Sequence, residues 1–243
     1  MQLHWSGATR YHDWYTKPRT IAKRMLSQAQ HAGLIGLVDW VSLGHDDERK
    51  EVTYSEGVLE GVLERMLDRG FKRGVSNLLT AGGTKPFAWN MNLLLFPFRK
   101  DRGKVQGYNI LKLWFDTKAF SGPNASDMLM QTFSTIHTPD NTEFAFIHPY
   151  KRWSELTTLG EPYEEPVTLG PMFSGVYWAI FLGRGHLAFF DLDKLRNLQA
   201  YQVKWLGDDG LFVRVSRDIA DATSPAVEEE MFRLTEIFRN ARR

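Results

Sequence analysis

The sequence contains no cysteine. Disulfides and thiolate-held metal or catalytic centres are therefore excluded, and the fold must rest on its core alone. Long apolar runs are missing too. The longest, Leu93-Leu94-Leu95-Phe96, is far too short to span a bilayer. The first residues, Met1-Gln2-Leu3-His4-Trp5-Ser6, have no basic stretch leading into an apolar one, so no secretory signal is read there. The expectation is a cytoplasmic protein that does not meet a membrane. An excess of one charge is also lacking: 30 Lys and Arg stand against 29 Asp and Glu, a net charge of +1. That balance argues against a dedicated nucleic-acid binder, which carries a basic excess. It gives equally little support to an acidic mimic of DNA.

What is present is enough for a substantial core. At roughly 100–200 residues per domain, 243 residues make one large domain or two modest ones. No composition shift, repeat or low-complexity tract marks a boundary, so residues 1–243 are expected to form a single domain. Aromatics are plentiful, with 16 Phe, 8 Trp and 8 Tyr. Most should fill the core, and a few suit a binding surface, where Trp and Tyr are enriched.

The spacing of apolar residues predicts the elements. Ile21, Met25, Ala29 and Ala32 mark a helix ending at Gly33, and residues 34–41 form an apolar run fit for a buried strand. Thr53 and Glu56 make a capping-box pattern ahead of Val58, Leu59, Val62, Leu63, Met66 and Leu67. From Phe87 to Leu95 apolar residues fall at every second position, with Asn90 and Asn92 on the opposite face, which predicts a strand. Residues 108–115 are its expected antiparallel partner across a basic turn region. A helix is expected over 127–136 and a strand over 144–147. Residues 149–174 hold Pro149, Pro162, Pro166 and Pro171, a density that forbids regular structure. A strand or short helix resumes over 176–182. Asp191 or Asp193 starts a short helix, residues 201–206 and 211–216 make a hairpin, and Ser224-Pro225 opens the last helix. Val227, Met231, Leu234 and Phe238 form its buried stripe. Helices set beside hairpin-like strands, without regular alternation, give an α+β fold with a mostly antiparallel central sheet. It closes with a β-hairpin and a C-terminal helix.

Catalytic signatures are sparse. His45-Asp46-Asp47 has metal-ligating types, yet three adjacent residues cannot all face one ion, so a solvated loop is the simpler reading. Asp191-Leu192-Asp193 resembles a metal-holding DxD, but it sits where a helix needs an N-cap. Gly82-Gly83-Thr84-Lys85 lacks the P-loop spacing and the helix that must follow it. Gly183-Arg184-Gly185 lacks the third glycine of a dinucleotide fingerprint and is read as a turn. The histidines at 4, 12, 31, 45, 137, 148 and 186 form no metal-binding pattern, and no nucleophile elbow occurs. The expectation is no catalytic residue, no metal and no cofactor.

The favoured site is a surface for a macromolecular partner. Trp153, Glu161, Tyr163, Glu164 and Glu165 combine aromatic area and acidic charge in the proline-stiffened loop, which loses less entropy on docking. Asp46, Asp47 and Glu48, with Asp208 and Asp209, are further acidic candidates for steering a basic partner.

The order of segments from about Tyr54 onward resembles the immunity protein 52 family of bacterial polymorphic-toxin immunity proteins. Gly175-Val176-Tyr177-Trp178-Ala179 and the closing hairpin and helix from Tyr201 to Phe238 carry most of the likeness, and the first fifty residues carry less. The resemblance implies an α+β antidote that binds and silences a cognate toxin of a type VI or contact-dependent system. The toxin would often be a nuclease, encoded by the adjacent gene. The family has no catalytic residues to carry over, and the chain would contact neither nucleic acid nor membrane. Two rivals stand beside it. One is a metal-dependent hydrolase or transferase whose site is assembled in space from His45, Asp46, Asp47, His137, His148, Asp191 and Asp193. The other is a secretion-system or phage-like structural adaptor. Reversing Glu161, Glu164 and Glu165 to lysine is expected to slow association with the toxin and leave the thermal melt unchanged. Equal association rates at low salt would remove this loop from the contact surface.

Overall fold

Period-two patterning organises most of this molecule. The structure is a computed structural model. It describes residues 2–9, 37–43, 50–53, 77–85, 88–95, 99–101, 104–106, 109–116, 124–140, 142–149 and 175–243, together with Gln30 and Gly61. The strands are β1 (Gln2–Thr9), β2 (Trp40–Leu43), β3 (Lys50–Thr53), β4 (Asn77–Gly83), β5 (Trp89–Leu95), β6 (Arg99–Asp101), β7 (Lys104–Gln106), β8 (Asn109–Asp116), β9 (Thr142–Pro149), β10 (Ala179–Gly183), β11 (Gln202–Trp205) and β12 (Gly210–Arg214). The helices are α1 (Ala125–Ile136), the single turn α2 (Arg184–Leu187), α3 (Leu192–Arg196) and α4 (Pro225–Asn240), with a 3-10 helix at Ile219–Thr223. The expected α+β fold is the one observed.

Ten strands make one antiparallel sheet in the order β11-β12-β10-β9-β1-β8-β5-β4-β2-β3, and β6 and β7 form a separate hairpin. The middle position belongs to β1, which pairs with β8 on one side and β9 on the other. Side chains alternate between faces, so each register row can be followed across the sheet. One row runs Val41, Ala81, Met91, Leu113, Trp5, Ile147, Ala179, Arg214, Gln202. Val41, Ala81, Met91, Leu113, Ile147 and Ala179 are all buried. The row on the opposite face changes character midway. It begins Ser42, Thr80, Asn92, Lys112, Ser6 and continues Phe146, Ile180, Val213, Val203. The apolar half lies in a cluster with Leu187, Phe190, Leu195, Met231, Leu234 and Phe238. On the first face, Phe133 of α1 meets Phe212 edge-on at 5.7 Å.

Most expected elements are present with shifted ends. β5 and β8 pair as anticipated, the closing hairpin forms across 207–210, and the stretch expected over 176–182 becomes a strand only from Ala179, in β10. Gly207 takes a left-handed φ of +62° in the hairpin turn, which a residue without Cβ adopts at no steric cost. On α4, Met231, Leu234 and Phe238 are buried and Val227 packs at the margin. Ser224 caps through its backbone carbonyl, which accepts from Val227 and Glu228; its hydroxyl makes no capping bond.

Other expectations need correction. The apolar run over 34–41 enters the sheet only at Trp40, and Leu37 is 68% exposed. Beside it the Asp39 carboxylate accepts from Thr84. Gly82 and Gly83 belong to the end of β4, not to a loop. A Cβ on Gly83 would lie 2.0 Å from the Leu37 carbonyl oxygen, and one on Gly82 would lie 2.5 Å from the Trp40 ring. β1 was not foreseen, since Ser6-Gly7-Ala8 gives little strand signal. The helices expected near 21–32 and 53–70 fall outside the described residues, apart from Gln30 and Gly61, which are both helical. So does the proline-rich stretch, except Pro149 in β9.

Phe238 is fully buried and Phe232, on the same helix, is 65% exposed. Phe238→Ala is expected to lower unfolding free energy by about 3–5 kcal/mol, and Phe232→Ala by no more than about 0.5 kcal/mol, both read from urea titrations.

Candidate functional site

Helix α1 is amphipathic. Leu129, Phe133 and Ile136 face inward, while Asp127 and Gln131 face solvent. Between α1 and the β11–β12 hairpin lies an open groove of about 310 Å³. Met130 and Phe212 supply apolar lining, and Asp127, Gln131, Ser134, Gln202, Lys204 and Arg214 supply the polar groups.

Arg214 sets the shape of this groove. Its side chain is only 3% exposed, and a buried charge is costly unless paired and hydrogen-bonded. Here Nη1 donates to Asp127 Oδ1 at 2.7 Å, Nε donates to the Ser216 carbonyl at 3.0 Å, and Nη2 donates to the Arg217 carbonyl. The guanidinium carbon lies 5.2 Å from the Trp178 ring centre and 5.1 Å from that of Tyr201, a cation–π contact with each ring. A polar relay continues from there. Trp178 Nε1 donates to Ser216 Oγ at 3.0 Å, and Ser216 Oγ donates to the Asp218 carbonyl at 2.8 Å. Ser126 Oγ donates to Asp218 Oδ1 at 3.0 Å while accepting from Ile219 N–H at 3.1 Å. One buried cation thus ties the start of α1 to β12 and to the turn after it.

Of the acidic positions expected at the interface, Asp208 and Asp209 fall in the described residues. Both sit in the hairpin turn and both are matched by arginine: Arg196 Nη2 is 2.7 Å from Asp208, and Arg184 Nε is 2.9 Å from Asp209. These are exposed pairs of small energetic worth, but they cancel most of the turn's negative field. Asp46, Asp47, Glu48, Trp153, Glu161, Tyr163, Glu164 and Glu165 lie outside the described residues.

The residues considered for an assembled hydrolytic site are spread apart where they are described. His137 is in the core, with Nδ1 3.0 Å from Thr142 Oγ1 at the start of β9 and its ring 4.8 Å from Phe133. His148 lies near the other end of β9, roughly 20 Å along the strand at about 3.3 Å per residue, against Tyr177. Asp191 caps α3, its carboxylate accepting from Asp193 N–H at 3.1 Å, as the capping argument anticipates. The Asp193 side chain is 96% exposed. His45, Asp46 and Asp47 are outside the described residues. Among the described residues no group of three His, Asp or Glu is placed to hold a metal ion. The loop at Gly82–Lys85 does not offer a free phosphate cradle. The Asp39 carboxylate accepts from Thr84 N–H at 2.7 Å and from its hydroxyl at 2.8 Å, and these bonds hold its pKa below the usual value. Gly183-Arg184-Gly185 is the entry to α2, with Gly185 N–H donating to Glu143 at 2.8 Å.

No protein-family model matches the chain, and no curated protein does. Among solved structures it is similar to the Pseudomonas aeruginosa T6SS protein PA0821, with a TM-score of 0.59 and 14% sequence identity over 97% of this chain and 72% of that one. The two share a fold. Among the described residues no helix is long and apolar enough to cross a membrane.

Two features escaped the sequence reading. Arg214 carried a signal, as a lone charge inside Leu211-Phe212-Val213-Arg214-Val215. The polar row Ser42, Thr80, Asn92, Lys112 carried one only in the Asn90/Asn92 alternation. Burial lowers the Lys112 pKa. The Ser42 hydroxyl and the Asn90 and Asn92 amide oxygens are buried without hydrogen-bond partners.

Arg214→Lys is expected to lower stability by about 2–4 kcal/mol in chemical denaturation, since an ammonium cannot satisfy both carbonyls, the carboxylate and the two rings. Acid sensitivity has a separate source. Burial lowers the His137 pKa to about 3, and burial, partly opposed by Glu143, lowers that of His186 to about 4. Both are neutral in the fold, whereas the unfolded chain protonates them near 6.5. Their contribution is therefore complete above about pH 6.5 and is lost as pH falls toward 4, by up to about 1.4 kcal/mol per pH unit for each histidine. Urea midpoints between pH 7 and 4 should fall less steeply for the double variant His137→Gln/His186→Gln than for the parent.

Proposed function

We propose that this chain is an immunity protein, an antidote that binds and neutralises a cognate toxin of a type VI or contact-dependent secretion system and itself turns over nothing. The observation that carries this reading is the fold shared along 97% of the chain with a protein named for type VI secretion. The segments that resemble immunity proteins support it. Trp178 and the closing hairpin are the parts that brace Arg214 and the groove, so part of the likeness falls on this surface. The groove has an apolar floor, a polar rim and a rigid aromatic beside it, which is the anatomy of a protein-binding patch. The toxin class in this reading is a nuclease, and the near-neutral charge of the chain favours steric occlusion or trapping over phosphate mimicry.

The same likeness also supports a structural component of the secretion machinery, and one experiment separates the two. The chain is co-expressed with the product of the adjoining gene. An immunity protein restores growth of cells making that product and elutes with it as a stoichiometric complex from gel filtration, burying roughly 1,200–2,000 Å² or more. A neighbour that is harmless to cells and forms no complex sinks the immunity reading. Rings of the chain alone, or stable association with secretion components, would support the structural role.

A further inference from the structure

Strand β11 ends the sheet, and among the described residues its backbone is paired on one side and open on the other. Leu206 N–H donates to the Gly210 carbonyl at 2.8 Å. Bonded pairs in an antiparallel ladder recur at every second residue. In the register Gln202↔Arg214 and Lys204↔Phe212, the backbone groups of Gln202 and Lys204 therefore bond to β12. Val203 and Trp205 direct theirs outward. The next ladder agrees in phase: Val215 N–H donates to the Trp178 carbonyl at 2.9 Å, so Leu211 and Val213 serve β10 and leave Phe212 and Arg214 for β11.

Three neighbouring features make this edge a seat for a ligand strand. Tyr201, 52% exposed, stands just before β11 with its ring fixed over Arg214. Gln202 and Lys204 are exposed and line the groove beside α1, so side chains of an added strand on that face would meet its polar rim. Lys204 makes no ion pair among the described residues, and the carboxylates of Asp208 and Asp127 are engaged by Arg196 and Arg214. An acidic residue opposite Lys204 would therefore be favoured. A second copy of β11 paired about Lys204 would instead set two lysines directly across from each other, where like charges repel.

We propose that β11 takes up an extended segment of the toxin as an added edge strand, bonded to the backbone of Val203 and Trp205, with an acidic side chain of that segment against Lys204. This rests on the reading of the chain as a toxin-binding protein and specifies where and how the toxin is held. Affinity in such strand addition comes from the main chain and specificity from side chains beside it.

The test compares amide hydrogen exchange in the full chain alone and in complex with the product of the adjoining gene, together with affinities of Val203→Pro and Lys204→Glu. Proline at 203 removes an outward N–H and leaves the bonds to β12 in place; should it fail to fold, Lys204→Glu and the exchange data decide. The expected result is fast exchange at Val203 and Trp205 in the free chain, at least tenfold slowing of both in the complex, and at least tenfold weaker binding by each folded variant. A complex in which both amides still exchange freely, with variant affinities within twofold of the parent, overturns strand addition while toxin binding stands. Concentration-dependent protection of these amides in the chain alone assigns the edge to self-association and also overturns it. Absence of any complex removes the toxin-binding reading and this inference with it.

Discussion

The double pairing of β1 is the constraint on which the rest depends. Residues 2–9 pair with residues 109–116 on one side, and residues 3–9 pair with strand β9 on the other. Without them the sheet would divide into a half built from β2 to β8 and a half built from β9 to β12. Each half would then present a long unpaired edge of the kind that invites aggregation. With β1 in place the edges among the described residues are β3 and β11, each four residues long.

Joining the halves creates a sheet whose two faces are built differently. One face is apolar from β2 to β10. The other is apolar from β9 outward, where α4 and its neighbours cover it, and carries the polar row Lys112, Asn92, Thr80, Ser42 across β8, β5, β4 and β2. The groove beneath α1 lies across the sheet from α4, over Phe212 and Arg214. Its rigidity follows from pairing rather than from apolar packing alone: Arg214 brings a charge into the layer beneath α1, and Asp127, two carbonyls and two aromatic rings answer it. A buried cation with several directional partners fixes one arrangement of α1, hairpin and turn. Apolar side chains of the same size would fill the volume with less angular demand.

The sequence was most legible where one period dominates. The alternation over Trp89–Leu95, the stripe Met231, Leu234, Phe238 and the Gly207–Gly210 turn each led to the element observed, because local pattern and tertiary burial ask for the same residues there. It was least legible where tertiary pairing overrides local preference. Ser6-Gly7-Ala8 makes a strand because partners wait on both sides, and Leu37, apolar as it is, lies exposed ahead of β2. The site was harder to read than the fold. Asp208 and Asp209 look like a free acidic patch in one dimension, and only the folded chain brings Arg196 and Arg184 to them. The groove depends on Arg214, Asp127 and Tyr201, whose distances in sequence hide their contact. Glu161, Glu164 and Glu165, which lie outside the described residues, are a separate proposal for the partner surface.

The central place of β1 also bears on how the molecule comes into being. Residues 2–9 are synthesised before both of their partner strands, the second of which is completed only at residue 149. At about 5–20 residues per second, that is a wait of roughly 7–28 s. Through that interval the first strand has no finished sheet to enter, so the nascent chain must be kept from strand exchange with its neighbours. Assembly of this sheet is therefore a matter of timing, because a strand at its centre is made well before the second of its two partners.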